Sequence, residues 1–253
     1  MAKVISISNH KGGVGKTTTS LNLGAALNRM GYKVLLIDMD AQANLTISLG
    51  ISEEMEDTIY SALRGRGGLK PIKILDGLDL VPSELDLSGA EVEMASEAGK
   101  EFVLSELLEP FKEQYDYIIL DTPPSLGILT LNAFTASDSV IMVLQAQYFA
   151  LHGLGKLNQV IGLVQKRLNK GLKVGGVVIT QYDSRESLNR AISEQIQELF
   201  AEWKDSKVYD TKIRKNVALA EAPTQGLDIF RYAPKSYGAE DYTALAQEVA
   251  AEK

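Results

Sequence analysis

Lys11-Gly12-Gly13-Val14-Gly15-Lys16-Thr17-Thr18 brings together what a chain of phosphates needs: backbone N–H groups, a cation and a hydroxyl. Glycines let a loop take positive φ and turn successive N–H groups onto phosphate oxygens. An apolar run precedes this loop and a helical pattern follows it, so the positive end of a helix adds to the same field. In that setting Lys16 reaches the β- and γ-phosphates, and the Thr17 hydroxyl is the candidate Mg²⁺ ligand. Gly12, Gly13, Val14, Gly15 and Thr18 complete the cradle. Where the usual motif has a further glycine, five residues before Gly15, this chain has His10, followed by a second lysine, Lys11. Asp38, Asp40 and Asp121 fall at or just after the ends of two other apolar runs. Carboxylates on the edge that holds a phosphate loop supply the negative charge that Mg²⁺ needs.

Those groups must be carried by regular elements. Val4–Ser8, Lys33–Asp38, Tyr117–Asp121, Val140–Leu144 and Val174–Ile179 are short β-branched apolar runs and read as strands. Between them, residues 16–30, 101–114, 126–136, 154–168 and 187–203 have helical period. Gly31 is a stop signal for the first of these helices. Continuous apolar strands alternating with helices predict an α/β fold with a mostly parallel central sheet covered by helices on both faces, as in P-loop NTPases. Ligands in such sheets bind beyond the carboxyl ends of the strands, where the glycine loop, Asp38 and Asp121 all fall. No repeat or linker divides the chain. Residues 1–253 are expected to form a single domain with no separate N-terminal DNA-reading module.

The loop, Lys-Gly-Gly-x-Gly-Lys-Thr, resembles the deviant phosphate loop of the ParA/MinD family of ATPases. Asp38-Met39-Asp40-Ala41-Gln42-Ala43-Asn44 looks like the family's second motif, and Asp121-Thr122-Pro123-Pro124 like its Walker B strand and switch loop. Ile213 to Pro223, Asp228 and Pro234 to Ala239 resemble segments of the ParA/Soj partition ATPases. The resemblance implies ATP and Mg²⁺ as cofactors. It implies that Asp40 orients the attacking water, that Asp38 supports the Mg²⁺ shell and that Asp121 holds a metal-bound water. Thr180 or Gln181 and the backbone near Pro223 would border the adenine. Lys11 would act across a dimer interface on the partner subunit's nucleotide. Such proteins form an ATP sandwich dimer, bind double-stranded DNA without sequence preference, and release it when a ParB-like partner stimulates slow hydrolysis. The chain departs from the family at His10, where glutamine is usual, and at Ala218, where a basic residue is common.

Composition limits the alternatives. There are no cysteines, which excludes disulfide scaffolds, Cys-ligated zinc, iron–sulfur clusters and thiol catalysis. The two histidines, His10 and His152, cannot by themselves make a His-rich metal site. No run approaches the ~18 apolar residues of a membrane span, and Met1–Ser6 leads directly into the first expected strand with no signal-peptide pattern. A cytoplasmic protein is expected, and the resemblance implies that it is nucleoid-associated when ATP-bound. Net charge is −7, but residues 51–125 hold 17 acidic against 6 basic residues, and 156–215 hold 12 basic against 7 acidic. A local basic face can bind phosphates whatever the total charge; the candidates are Arg185, Arg190, Lys212, Arg214 and Lys215. A MinD-like membrane-positioning ATPase would end in a basic amphipathic helix. Here the tail from Tyr237 onward is acidic, and Tyr242, Leu245, Ala246 and Val249 are expected to dock on the body. A ParA-like positioner of a protein cargo is a further alternative. No motif points to the substrate pocket of a P-loop ligase.

Overall fold

A computed structural model describes residues 1–51, 55–94, 96–147, 150–201, 203 and 206–252. Eight strands form one sheet: β1 (Lys3–Ser8), β2 (Val34–Asp38), β3 (Ile72–Leu75), β4 (Leu78–Val81), β5 (Tyr117–Asp121), β6 (Ser139–Gln145), β7 (Lys173–Tyr182) and β8 (Val208–Arg214). Their order is β3-β4-β2-β5-β1-β6-β7-β8, and all neighbours are parallel except the β3–β4 hairpin. The predicted α/β class and mostly parallel sheet are therefore observed.

The helices are α1 (Lys16–Arg29), α2 (Asn44–Ser48), α3 (Ile59–Leu63), α4 (Leu87–Glu93), α5 (Val103–Leu108), α6 (Ile128–Ala136), α7 (Ala150–Arg167), α8 (Ser187–Ala201), α9 (Ala218–Glu221), α10 (Ile229–Tyr232) and α11 (Tyr237–Ala250). One face of the sheet packs Val4, Leu35, Ile37, Ile118 and Leu120 against α3 to α8. The other packs Ile5, Ile7, Leu36 and Ile119 against α1, α2, α10 and α11. Alternate residues of each central strand thus enter opposite cores, which is why those strands read as mostly apolar runs. The approach of α1 to the sheet is close: a Cβ on Gly24 would lie 2.6 Å from Cδ2 of Leu36.

Some elements differ from expectation. The helix predicted over 101–114 is shorter; α5 ends at Leu108 and a 3₁₀ turn, Glu109–Phe111, follows. Pro110 lacks the N–H that would continue the helix. The strand predicted over 174–179 extends through Tyr182. β3, β4 and β8 were not among the predicted strands. β8 lies at one edge, and its sequence, VYDTKIR, mixes polar with apolar residues because part of it faces solvent.

The tail expectation holds. Tyr242, Leu245, Ala246 and Val249 of α11 are buried against α1 and the sheet, and the Tyr242 hydroxyl lies 3.1 Å from that of Thr19. Among the described residues no helix is long and apolar enough to cross a membrane.

Candidate nucleotide site

β1 delivers the chain to the glycine loop at the carboxyl edge of the sheet. Gly13 and Gly15 take φ of 73° and 91°, and Gly15 stands at the N-cap of α1. A side chain at either position would be strained, so these glycines allow the loop to turn its N–H groups inward. Lys16 opens α1, is 7% exposed, and donates from Nζ to the Lys11 carbonyl at 3.1 Å. Burial pushes its pKa down, with Asp121 and Asp40 opposing the change. An ammonium largely removed from water and facing a phosphate cradle gains strongly from an anionic ligand.

Asp38 and Asp121 occupy paired positions on β2 and β5. Asp121 accepts from Thr17 Oγ1 at 2.7 Å and from Ser20 Oγ at 2.8 Å. Burial first, then the neighbouring Asp38, pushes its pKa up to about 7. Burial likewise raises Asp38 to about 6, against the hydrogen bonds it accepts. Two buried carboxylates beside a threonine hydroxyl are a donor set that a hard cation relieves. The residues therefore fit Mg²⁺, with Thr17 as the candidate direct ligand and Asp121 holding it from behind. Among the described residues there is no cluster of three or more His, Cys, Asp or Glu side chains that could hold a metal ion.

Asp38 has a second task. Its Oδ1 accepts from the Asp40 N–H at 3.1 Å, and its Oδ2 accepts from Thr46 N and Oγ1 at 2.9 and 2.8 Å. Ser83 donates from Oγ to the Asp40 carbonyl at 2.7 Å and from its N–H to Thr46 Oγ1 at 3.0 Å. The Asp40 carboxylate accepts from the Gln42 N–H at 3.0 Å and remains partly exposed. Asp38 thus fixes the backbone that carries Asp40.

Thr180 and Gln181 meet the loop from β7. Thr180 Oγ1 donates to the Val14 carbonyl at 2.7 Å, and Gln181 Nε2 to the Gly13 carbonyl at 3.2 Å. Gln145, at the end of β6, donates to the same Gly13 carbonyl at 2.9 Å. Asn9 ties Val143 to the loop, donating at 2.6 Å to the Val143 carbonyl and accepting from the Lys11 N–H at 3.0 Å. Sequence reasoning missed Gln145, Asn9 and Ser83. The strand-end position of Gln145 was the available signal. His10 Nδ1 is buried and has no hydrogen-bond partner among the described residues. Burial, followed by Lys11, Lys156 and Lys16, lowers its pKa.

Beside the loop a cleft of about 380 Å³ runs between Gly15, Thr18, Thr180 and Gln181 on one side and Ile213–Val217, Leu219 and Ala220 on the other. Its position next to the phosphate cradle and its partly apolar walls suit a nucleoside. Leu219 and Ala220 line it, whereas Pro223, the expected border of the base, is not among the lining residues. Pro223 belongs to the following 3₁₀ turn, Ala222–Gln225.

A family model described as an AAA domain matches residues 2–174. The chain is 46% identical over 255 residues to the sporulation initiation inhibitor protein Soj of Bacillus subtilis, covering 99% of each. It belongs to the ParA/Soj family of P-loop ATPases. It is also 42% identical to the chromosome partitioning protein ParA of Myxococcus xanthus, over 98% of this chain and 88% of that one. Among solved structures, cobyrinic acid a,c-diamide synthase from Mycobacterium smegmatis with bound ADP and magnesium is similar, with a TM-score of 0.86 and 33% identity over 99% of this chain and 94% of that chain. ATP and Mg²⁺ are the cofactors of this ParA/Soj chain.

The basic candidates of the ParA/Soj chain do not form one free face. Arg185 pairs with Asp183 at 2.7 Å, and Lys215 with Glu186 at 2.5 Å. Arg214 pairs with Asp241 at 2.5 Å and Glu240 at 2.6 Å, and its guanidinium lies 4.1 Å from the centroid of the Tyr237 ring. Arg214 therefore clips α11 to β8. Lys212 lies over the Tyr182 ring at 4.6 Å, and Arg190 donates from Nη1 to the Ser184 carbonyl at 3.4 Å.

Proposed function

We propose that residues 1–253 act as a single ATPase domain that dimerises with ATP, binds double-stranded DNA non-specifically and segregates chromosome or plasmid DNA with a ParB-like partner. The observation that carries this reading is the two-lysine phosphate loop tied through Thr17 to Asp121, the strand partner of Asp38, in a chain similar along its whole length to Soj. Bound Mg²⁺ would neutralise phosphate charge. Lys16 binds the β- and γ-phosphates from within its own subunit, and Thr17, oriented by Asp121, offers its hydroxyl to the ion. Asp40 is held by Asp38 and Ser83 where its carboxylate can orient a water. Lys11 acts in trans on the partner subunit's nucleotide. Phosphoryl transfer depends chiefly on positioning and electrostatic stabilisation, so a site completed only in the dimer makes hydrolysis slow until assembly.

Arg190 and Lys212 are better placed than Arg214 to meet DNA, with Arg185 and Lys215 available once their exposed ion pairs open. The cytoplasm is the compartment this activity requires. α11 argues against the membrane-positioning alternative: its apolar side is buried and its first turn carries Glu240. The test is retention of unrelated duplexes at low salt. ATP-bound protein should retain them and ADP-bound protein should not. Liposome binding without duplex retention would overturn the DNA reading.

A further inference from the structure

A cavity of about 640 Å³ lies apart from the nucleotide site. It lies between α2 and the turn from β4 to α4, lined on its apolar side by Ala43, Ile47, Ile51 and Met55, and rimmed by Glu56, Glu84 and Asp86. Ile47 and Leu85 stand 57% and 69% exposed there. Among the described residues no lysine or arginine lines the groove.

Its inner wall is the hydrogen-bonded frame of the Asp40 turn. Thr46 and Ser83 both line the groove, and both are buried. Thr46 holds Asp38, Ser83 holds the Asp40 carbonyl, and Ser83 also bonds Thr46. Ala43, at the N-cap of α2, has φ of 51°, a left-handed conformation that strains a non-glycine residue. The turn keeps that conformation through its anchors, so whatever grips α2 and Ser83 sets the position of Asp40.

We propose that this groove receives a basic segment of the activating partner protein, with an aliphatic side chain over Ile47 and Leu85 and lysine or arginine groups against Glu56, Glu84 and Asp86. The choice of occupant rests on charge complementarity: an apolar floor inside an all-acidic rim selects cationic amphipathic chain and repels nucleic acid and anionic lipid. The inference rests on the partner-stimulated reading above and adds where the partner acts. The occupied groove fixes Ala43–Thr46 and Ser83, and through them the carboxylate of Asp40.

The test measures ATP turnover with saturating duplex DNA and increasing amounts of the purified ParB-like protein from the same genome. Two variants are compared with wild type, Glu56→Lys with Asp86→Lys, and Leu85→Asn; none of these side chains touches the nucleotide site. Each variant should keep its unstimulated turnover and its ATP-dependent dimer by sedimentation. Each should need about tenfold or more partner for half-maximal stimulation, as when an interface anchor is removed. Stimulation equal to wild type in both variants overturns the groove. Loss of the ATP-dependent dimer also overturns it, since the occupant is then a second copy of this chain. If wild type itself is not stimulated, the partner reading fails first, and the groove assignment falls with it.

Discussion

Lys16 and Asp40 act at different stages, and their variants should separate. Lys16 is buried against the loop and directed at the phosphates, so Lys16→Ala removes a charge-assisted contact from both bound ATP and the transition state. Turnover by the purified variant should fall by about a hundredfold or more; normal turnover would refute the assignment of the loop. Asp40 is held through its backbone, with its carboxylate partly exposed. A group that orients water contributes mainly to the transition state. Asp40→Ala should therefore bind ATP, lose turnover and accumulate as a dimer in size-exclusion with ATP. Loss of nucleotide binding would count against that role. Lys16, Thr17 and Asp121 were legible because each sits inside a motif whose spacing states the chemistry. Asn9, Gln145 and Ser83 were not, because each reaches the site through a bond to backbone far away in the chain, such as Gln145 to Gly13. No local pattern records such a pairing. Arg214 shows the converse: its charge was legible, but its partner Asp241 is 27 residues away.

At the scale of elements, Arg214 makes β8 and α11 one unit. Its backbone N–H and its guanidinium both bond Asp241, whose side chain is only 7% exposed. Arg214→Glu leaves a nearly buried carboxylate facing another. Removing one partner of such a pair costs about 3–5 kcal/mol when fully buried. Because Arg214 is itself 38% exposed, a loss of about 2 kcal/mol is expected after solvent screening. Thermal unfolding should then fall by roughly 4–8 °C for a domain of this size, whereas Lys212→Glu, which loses only a ring contact, should melt near wild type. A melting temperature unchanged by Arg214→Glu would remove the clip. The same comparison guards any DNA-binding result, since a loosened α11 also loosens the nucleoside cleft that Arg214 and Tyr242 line. The central strands were readable because they are buried on both faces, so apolar residues dominate them and polar ones such as Ser6 of β1 are few. β3, β4 and β8 lie toward the sheet edges, where side chains such as Lys73, Asp79 and Lys212 meet solvent and break the pattern.

For the whole molecule, the topology gathers the loop, Asp38, Asp121, Gln145 and Thr180 on one edge of the sheet, from strands that are distant in sequence. A second copy facing that edge would enclose the nucleotide and bring a lysine from outside the pocket. DNA retention by such a dimer should be salt-steep, because each neutralised phosphate releases counterions. Arg190→Glu with Lys212→Glu should lower the slope of affinity against salt while leaving ATP binding intact; an unchanged slope would move the footprint elsewhere. Lys11 then distinguishes a dimer-dependent ATPase from an ordinary phosphate loop. Its N–H and carbonyl serve the fold of the loop, through Asn9 and Lys16, and alanine preserves both. Its side chain is partly exposed, whereas that of Lys16 is buried. Lys11→Ala should therefore bind ATP close to wild type as a monomer. It should lose ATP-dependent dimerisation, hydrolysis and duplex retention together, because all three need the sandwich. ATP titration and sedimentation on the same preparation separate the outcomes. A variant that dimerises and hydrolyses like wild type makes Lys11 a surface lysine. A variant that no longer binds ATP makes it a second cis ligand, and the argument for a lysine acting across the interface ends there.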